Sequence, residues 1–375
     1  MVRGNKVKIG ICVRTWGELG GIGVYTRSIV NALIQLDKKN EYCLLYSNPS
    51  HMGNFKNAAN VKEIFVPAHG KWMWDQWAVP RYVRREKIDV LFHTKFAIPF
   101  MAKCKTAMVL HGTERFVFPE HHQRADLWFF KTVYPQYLKQ ASLILAVSER
   151  GRQDIIEKLG IDPLKIKTVH LAANPAFHVI NNQEFLENIL DQYRLPKRFI
   201  IYVGHIYPGK NVGRLFRAVS LVRKNFDIDL VIAGAPRWKY KGDLALIPKL
   251  DLDGHVHVLG HVPHDELVAL YNLAQLTAFP SFYESFPAIP LEANSCGCPV
   301  VISRTGGSPE AAGDAALYVD PLDVEGIAAA ISSVLADTNI RNDLIEKGFK
   351  NVRRFSWEKT AQETLDALEW IAGQG

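Results

Sequence analysis

Glu284 and Glu292 are separated by seven residues in Phe279-Pro280-Ser281-Phe282-Tyr283-Glu284-Ser285-Phe286-Pro287-Ala288-Ile289-Pro290-Leu291-Glu292, a stretch rich in turn formers. The apolar residues in Leu276-Thr277-Ala278-Phe279 read as the end of a buried strand. Pro290 suits the first position of a short helix, which puts Glu292 in that helix's first turn. One carboxylate thus sits on a loop and the other at a helix entrance. Two acidic acceptors so spaced can take hydrogen bonds from different hydroxyls of one sugar nucleotide, with helix-end N–H groups between them facing its phosphates. A solvated loop Glu beside an ordinary helix N-terminal Glu is the competing reading.

A second constellation, Gly20-Gly21-Ile22-Gly23, precedes a helix and lets backbone amides approach a phosphate. A nicotinamide-binding turn is disfavoured there. The preceding strand ends several residues too early, there is no Gly-x-Gly-x-x-Gly, and no acidic residue stands where a ribose ligand belongs.

Alternating elements must position these groups. Short apolar runs at Val7–Val13, Tyr42–Tyr46, Val90–His93, Ala107–His111 and Leu143–Val147 alternate with helical patterns at Gly23–Leu36, near Gln76–Arg85 and near Leu127–Gln140. The polar stretch Asn181–Gln192 and Pro196 read as a linker. A second series follows: Phe199–Val203, helix Val212–Lys224, Leu230–Ala233, Val256–Leu259, helix Asp265–Leu273, Leu276–Phe279, the helix holding Glu292, Val300–Ser303 and helix Val324–Ala336. This alternation predicts two doubly wound α/β domains. Such sheets bind ligands at the carboxyl ends of their strands, so a ligand cleft between two facing sheets is expected.

The 375 residues exceed one ordinary core. Residues 1–180 hold 26 Lys and Arg against 14 Asp and Glu, a balance of +12, whereas 181–375 hold 19 against 24, a balance of −5. The basic half carries Arg81, Arg84, Arg85, Lys87, Lys103 and Lys105, and Lys71-Trp72-Met73-Trp74-Asp75-Gln76-Trp77 precedes the first of these. That combination is compatible with an anionic membrane surface; the alternative is that the tryptophans are core and the basic groups solvate a helix. No nucleic-acid module is visible. No run is long and apolar enough to span a bilayer, and a strand-like run starts at Val7, so neither a membrane span nor a secretory leader is expected and the chain reads as cytoplasmic. Cys12, Cys43, Cys104, Cys296 and Cys298 read as buried thiols, since Cys296-Gly297-Cys298 lacks the spacing of a zinc knuckle; no metal site is expected.

From Phe279 to Gly297, and on through Pro299-Val300-Val301-Ile302-Ser303-Arg304-Thr305-Gly306-Gly307-Ser308-Pro309-Glu310 and Gly313–Pro321, the chain resembles the C-terminal signature of family 4 glycosyltransferases. Tyr202-Val203-Gly204, Lys210-Asn211, Gly20–Thr26 and Ala146-Val147-Ser148-Glu149 extend the resemblance over effectively the whole sequence. It implies a GT-B fold of two facing Rossmann-like domains, an acceptor-side domain at 1–177 and a nucleotide-sugar donor domain at 178–355, with a last helix at 356–375 crossing back to the first. It implies retaining, metal-independent transfer without a cofactor.

Carried over position by position, the resemblance makes His111, Lys210 and Glu284 catalytic. Lys210 meets the charge on the departing nucleoside diphosphate, Glu284 accepts from hydroxyls of the donor sugar, and Glu292 from the ribose. Ser285 and Phe286 offer backbone N–H groups, and Leu259-Gly260-His261-Val262 faces the base. Gly209 and His205 occupy places where relatives carry an Arg, and Arg214 is the nearest substitute; Pro287 replaces a usual Gly and Gly112 a usual Asp. Departure of the diphosphate and attack on one face makes the Glu pair binders rather than a glycosidase acid and base. The resemblance thus implies transfer of a hexose from a nucleoside-diphosphate sugar, UDP- or GDP-linked, to a glycan or glycolipid acceptor. A sugar-nucleotide epimerase or hydrolase and an inactive sugar-nucleotide-binding subunit remain the competing classes.

Overall fold

The computed structural model describes residues 6–374, which form two compact units. Among the described residues one comprises 6–117, 123–171 and 356–374, the other 118–122 and 172–355. In the first, β1 (Lys8–Cys12), β2 (Glu41–Tyr46), β3 (Val61–Phe65), β4 (Val90–His93), β5 (Lys105–Leu110), β6 (Leu143–Ala146) and β7 (Ile166–Thr168) make a parallel sheet in the order β3-β2-β1-β4-β5-β6-β7. Runs such as Tyr42-Cys43-Leu44-Leu45-Tyr46 are buried on both faces, the reason they show no alternation.

In the second unit, β8 (Phe199–Val203), β9 (Asp229–Ala233), β10 (Val256–Gly260), β11 (Leu276–Phe279), β12 (Val300–Ser303) and β13 (Leu317–Val319) give the order β10-β9-β8-β11-β12-β13, again parallel. Each sheet reverses its winding once, between β1 and β4 and between β8 and β11. Loops leaving the carboxyl ends of those strand pairs diverge, and the crevice they leave is where such folds take ligands.

Three expectations are corrected. The stretch read as a linker is the helix Gln183–Tyr193. Asn182 caps it by accepting from the Phe185 N–H, and Leu186 and Ile189 bury one side, a stripe masked by the surrounding polar residues. The single helix expected near Leu127–Gln140 is two, Arg124–Thr132 and Tyr134–Gln140, because Pro135 opens the second and brings no N–H to continue the first. The helix near Gln76–Arg85 begins earlier, at Lys71, and runs through a π-helical turn over Trp74–Ala78 into Val79–Glu86. The C-terminal helix Trp357–Ala372 is part of the first unit: Thr360 Oγ1 donates to the His170 carbonyl at 2.8 Å and the Trp357 ring lies 5.9 Å from that of Tyr25.

Candidate functional site

In the second unit the two loops that leave the β8/β11 switch point are stitched together. After β8 a short 3-10 turn, Pro208–Lys210, ends at Asn211 in the left-handed region, φ 59°, which asparagine tolerates. The Asn211 Nδ2 donates to the Pro280 carbonyl at 2.9 Å and the Pro321 carbonyl at 2.7 Å, and the Phe282 N–H donates to the Gly209 carbonyl at 3.0 Å. This brings Lys210 to Glu284: Nζ lies 2.5 Å from Oε1, with both side chains largely buried. The ammonium also stands 5.0 Å from the Phe279 ring centre. Arg214 donates to Asn211 Oδ1 at 3.2 Å and stacks over Phe282.

Glu284 is fixed from its other side by a loop that spacing alone did not single out. Gly306, at φ 58°, lies so close to Glu284 that a Cβ there would come within 2.1 Å of its carbonyl oxygen, and the Gly307 N–H donates to that oxygen at 2.7 Å. Only glycine fits both the backbone angle and the approach. Ser285 and Phe286 are buried, and Phe286 packs edge-on against Phe355 at 5.5 Å.

Glu292 falls in the first turn of the helix Ile289–Ser295. Burial pushes its carboxyl up to about 7, opposed by the hydroxyl of Tyr271, which donates to Oε2 at 3.4 Å. It is therefore poised between neutral and charged at physiological pH.

Across β8 and β9 lies a cation the linear pattern did not reveal. His205 Nδ1 pairs with the Ala235 carbonyl at 3.2 Å and its Nε2 with Arg237 Nη2 at 3.1 Å, so Nδ1 carries the proton and Nε2 accepts from the guanidinium. Burial, then Arg237, and to a smaller extent Lys210 and His261, hold the imidazole pKa down and the ring neutral. Arg237 is set by its own N–H on the Ile206 carbonyl. His261 and Val262 follow Gly260, whose φ of 71° ends β10; Val262 is buried and His261 exposed.

In the first unit, Gly20 caps and Gly21 opens the helix Gly21–Leu36. A Cβ on either would meet no atom within 4 Å, whereas one on Gly23 would sit 1.8 Å from the Glu18 carbonyl. Packing thus requires Gly23 but not Gly20 or Gly21. Below them Thr26 Oγ1 is 2.6 Å from Thr15 Oγ1 and 2.9 Å from Thr94 Oγ1, all three residues buried. His111, just past β5, donates from Nε2 to the Thr94 carbonyl at 2.7 Å and meets the Tyr25 ring edge-on at 4.8 Å. Burial lowers its pKa to about 4, so it is neutral with a lone pair on Nδ1.

The comparisons with known proteins agree with this architecture. Residues 187–351 match the model "Glycosyl transferases group 1" and residues 19–177 match "Glycosyltransferase Family 4". The chain belongs to the family 4, group 1 glycosyltransferases and is a glycosyltransferase. It is 28% identical over 371 residues to the O-antigen chain mannosyltransferase B of Escherichia coli, covering 94% of this chain and 97% of that one. Other curated relatives are longer, and the chain spans 29% or 59% of the length of two of them. Among solved structures, the sucrose-phosphate synthase of Thermosynechococcus elongatus superposes with a TM-score of 0.77 at 17% identity, covering 99% of this chain and 100% of that one. Anabaena Alr3699/HepE, in complex with UDP and glucose, gives 0.72 at 18% identity, covering 96% and 99%. The fold is GT-B.

Proposed function

We propose that this glycosyltransferase moves a hexose, with retention and without a metal ion or other cofactor, from a nucleoside diphosphate sugar to a glycan or lipid-linked acceptor in glycan synthesis. The observation that carries the reading is the Lys210–Glu284 pair at the β8/β11 switch point, with Glu292 following on the Glu284 loop. Lys210 supplies the point charge that the leaving nucleoside diphosphate needs, and Arg237 and Arg214 add cationic charge in the same unit. Glu284 accepts from hydroxyls of the hexose and Glu292 from those of the ribose; Ser285 and Phe286 are assigned to the phosphates, and His205, His261 and Val262 to the base side of the donor. Gly20 and Gly21, which packing leaves open, present helix-end amides to a phosphate, and neutral His111 offers its Nδ1 lone pair to a sugar hydroxyl. Likeness to a mannosyltransferase favours mannose among the hexoses.

Calorimetry with UDP- and GDP-linked glucose and mannose, in the presence of a chelator and repeated on Glu284→Ala, tests the donor assignment. One nucleotide sugar is expected to bind the natural chain selectively and to be lost on the variant. Silence across the panel, or binding that appears only with a divalent cation, would overturn it. Proton NMR of the first-formed product decides retention: an anomeric configuration opposite to the donor's would refute it.

A further inference from the structure

Six of the large apolar side chains left exposed crowd onto one region of the first unit: Trp72 (60%), Met73, Trp77 (48%), Phe100, Met101 (58%) and Trp128 (65%). Three segments bring them there, and one buried amide pins the segments. Gln76 Nε2 donates to the Ile98 carbonyl at 3.0 Å and toward the Tyr137 hydroxyl at 3.3 Å, while its Oε1 accepts from the Phe100 N–H at 2.9 Å. The Phe100 ring lies 5.0 Å from that of Tyr137, and Phe129, beside Trp128, 6.2 Å from it. The interior is thus satisfied from below and does not account for the tryptophans outside. Trp74, by contrast, is buried and donates to the Val66 carbonyl at 3.0 Å, so it belongs to the core and not to this face.

The helix through Lys71–Glu86 is built to present them. Trp72 and Trp77 are five residues apart across the π-helical turn, the spacing that such a turn's hydrogen bonds bring onto one side. Arg81, Arg84 and Arg85 follow at helical spacing and are exposed. Over residues 71–85, 96–105 and 123–140 there are nine Lys and Arg against two acids, Asp75 and Asp126. Asp75 is buried against Arg14 and Asp126 is paired with Arg115. The exposed charge of this face is therefore almost entirely positive.

We infer that this aromatic and basic face docks on an anionic lipid surface, with the tryptophan rings at headgroup depth and the arginines on lipid phosphates. Tryptophan prefers that depth because its ring is apolar while its N–H stays wet. Each nearby Lys or Arg adds attraction to anionic lipid that salt screens. An apolar patch of this kind, bordered mainly by cationic side chains and with its part-exposed acid Asp126 paired to Arg115, fits charged lipid better than the mixed charge of a protein surface. The inference is independent of the donor assignment, because these residues lie outside the proposed binding groups.

Flotation with phosphatidylcholine vesicles, with and without phosphatidylglycerol, tests it. The full chain is expected to float with the anionic vesicles at low salt and to be released by high salt. Trp72→Ser/Trp77→Ser/Trp128→Ser and, separately, Arg81→Ser/Arg84→Ser/Arg85→Ser are expected to weaken binding at least tenfold, with the melting temperature and nucleotide-sugar binding unchanged. Failure of the natural chain to float, or equal flotation of the variants, overturns the proposal. So does self-association in the absence of vesicles that the tryptophan substitutions abolish, because the face would then cover a second copy.

Discussion

Donor binding should weaken below neutral pH, and Glu292 should be the cause. Its carboxyl is pushed up to about 7 by burial, so near pH 6 most molecules carry it protonated and near pH 8 most carry it charged. Only the charged form accepts ribose hydroxyls at both oxygens with charge assistance. If the protonated form binds poorly, the apparent Kd scales as one plus the ratio of proton activity to the acid constant, which gives about a tenfold rise from pH 8 to pH 6, or about 1.4 kcal/mol. The donor itself does not titrate in this window, because its diphosphate is esterified at both ends. His111 is held down to about 4 and His205 below its ordinary value, so neither mimics the effect. Calorimetry with the intact nucleotide sugar on the natural chain and Glu292→Gln decides it: the variant should bind more weakly than the natural chain at both pH values, with a flat profile, so that the gap between them narrows about tenfold from pH 8 to pH 6. The sign for stability is opposite. A carboxyl raised in the fold contributes most below its unfolded value near 4.5 and loses that contribution as pH rises through about 7, so Glu292→Gln should melt higher than the natural chain at pH 8, by at most about 3 kcal/mol, and equally at pH 4. A sloping profile retained in the variant, or none in the natural chain, would refute the assignment.

Lys210→Ala should lower the single-turnover rate by roughly 10²–10³ while weakening donor binding less, the pattern of a group that acts on leaving-group charge; equal losses in both would make it a binding residue only. Arg237→Ala should cost about tenfold in donor affinity at low salt and progressively less as salt rises; a salt-independent loss would indicate that only the His205 ring had moved. Gly306→Ala should lower the melting temperature and abolish donor binding, because its Cβ meets the Glu284 backbone, whereas Gly21→Ala should fold normally and lose activity, having nothing nearby to strike. If Gly21→Ala is fully active, the helix Gly21–Leu36 does not approach a phosphate.

Strands were the most legible part of the fold: Phe199–Val203 and Leu276–Phe279 agree end for end, because runs buried on both faces are predominantly apolar and each stops at a turn former, Gly204 or Pro280. The helix at Gln183–Tyr193 was hidden for the opposite reason, since it covers the sheet with a narrow stripe and leaves the rest polar. Trp72, Trp74 and Trp77 stand within six residues, yet one is core and two are surface, and only the π-helical turn decides which. Periodicity does not show such a turn in advance.

The candidate site was legible where its residues are neighbours in sequence and hidden where the sheet makes them neighbours. Glu284, Glu292 and Lys210 could be found from motif positions on loops whose places in the strand order follow from alternation. A search for an accompanying cation confined to the residues around Lys210 met Gly209, His205 and Arg214. Parallel pairing places the end of β9 beside the end of β8, with Ala233 opposite Val203, and the loop after β9 continues alongside the loop after β8 in the same direction through a parallel bridge between Ile206 and Pro236. Arg237 is delivered to His205 by that pairing, over thirty-two residues of chain. In a doubly wound sheet, then, a missing charge at one strand end should be sought on the next strand's loop before the site is judged incomplete. Of the two candidates only Arg237 reaches His205, while Arg214 is held on Asn211 and Phe282. Removing Arg237 should therefore weaken the donor more than removing Arg214, and the reverse order would return the role to the helix.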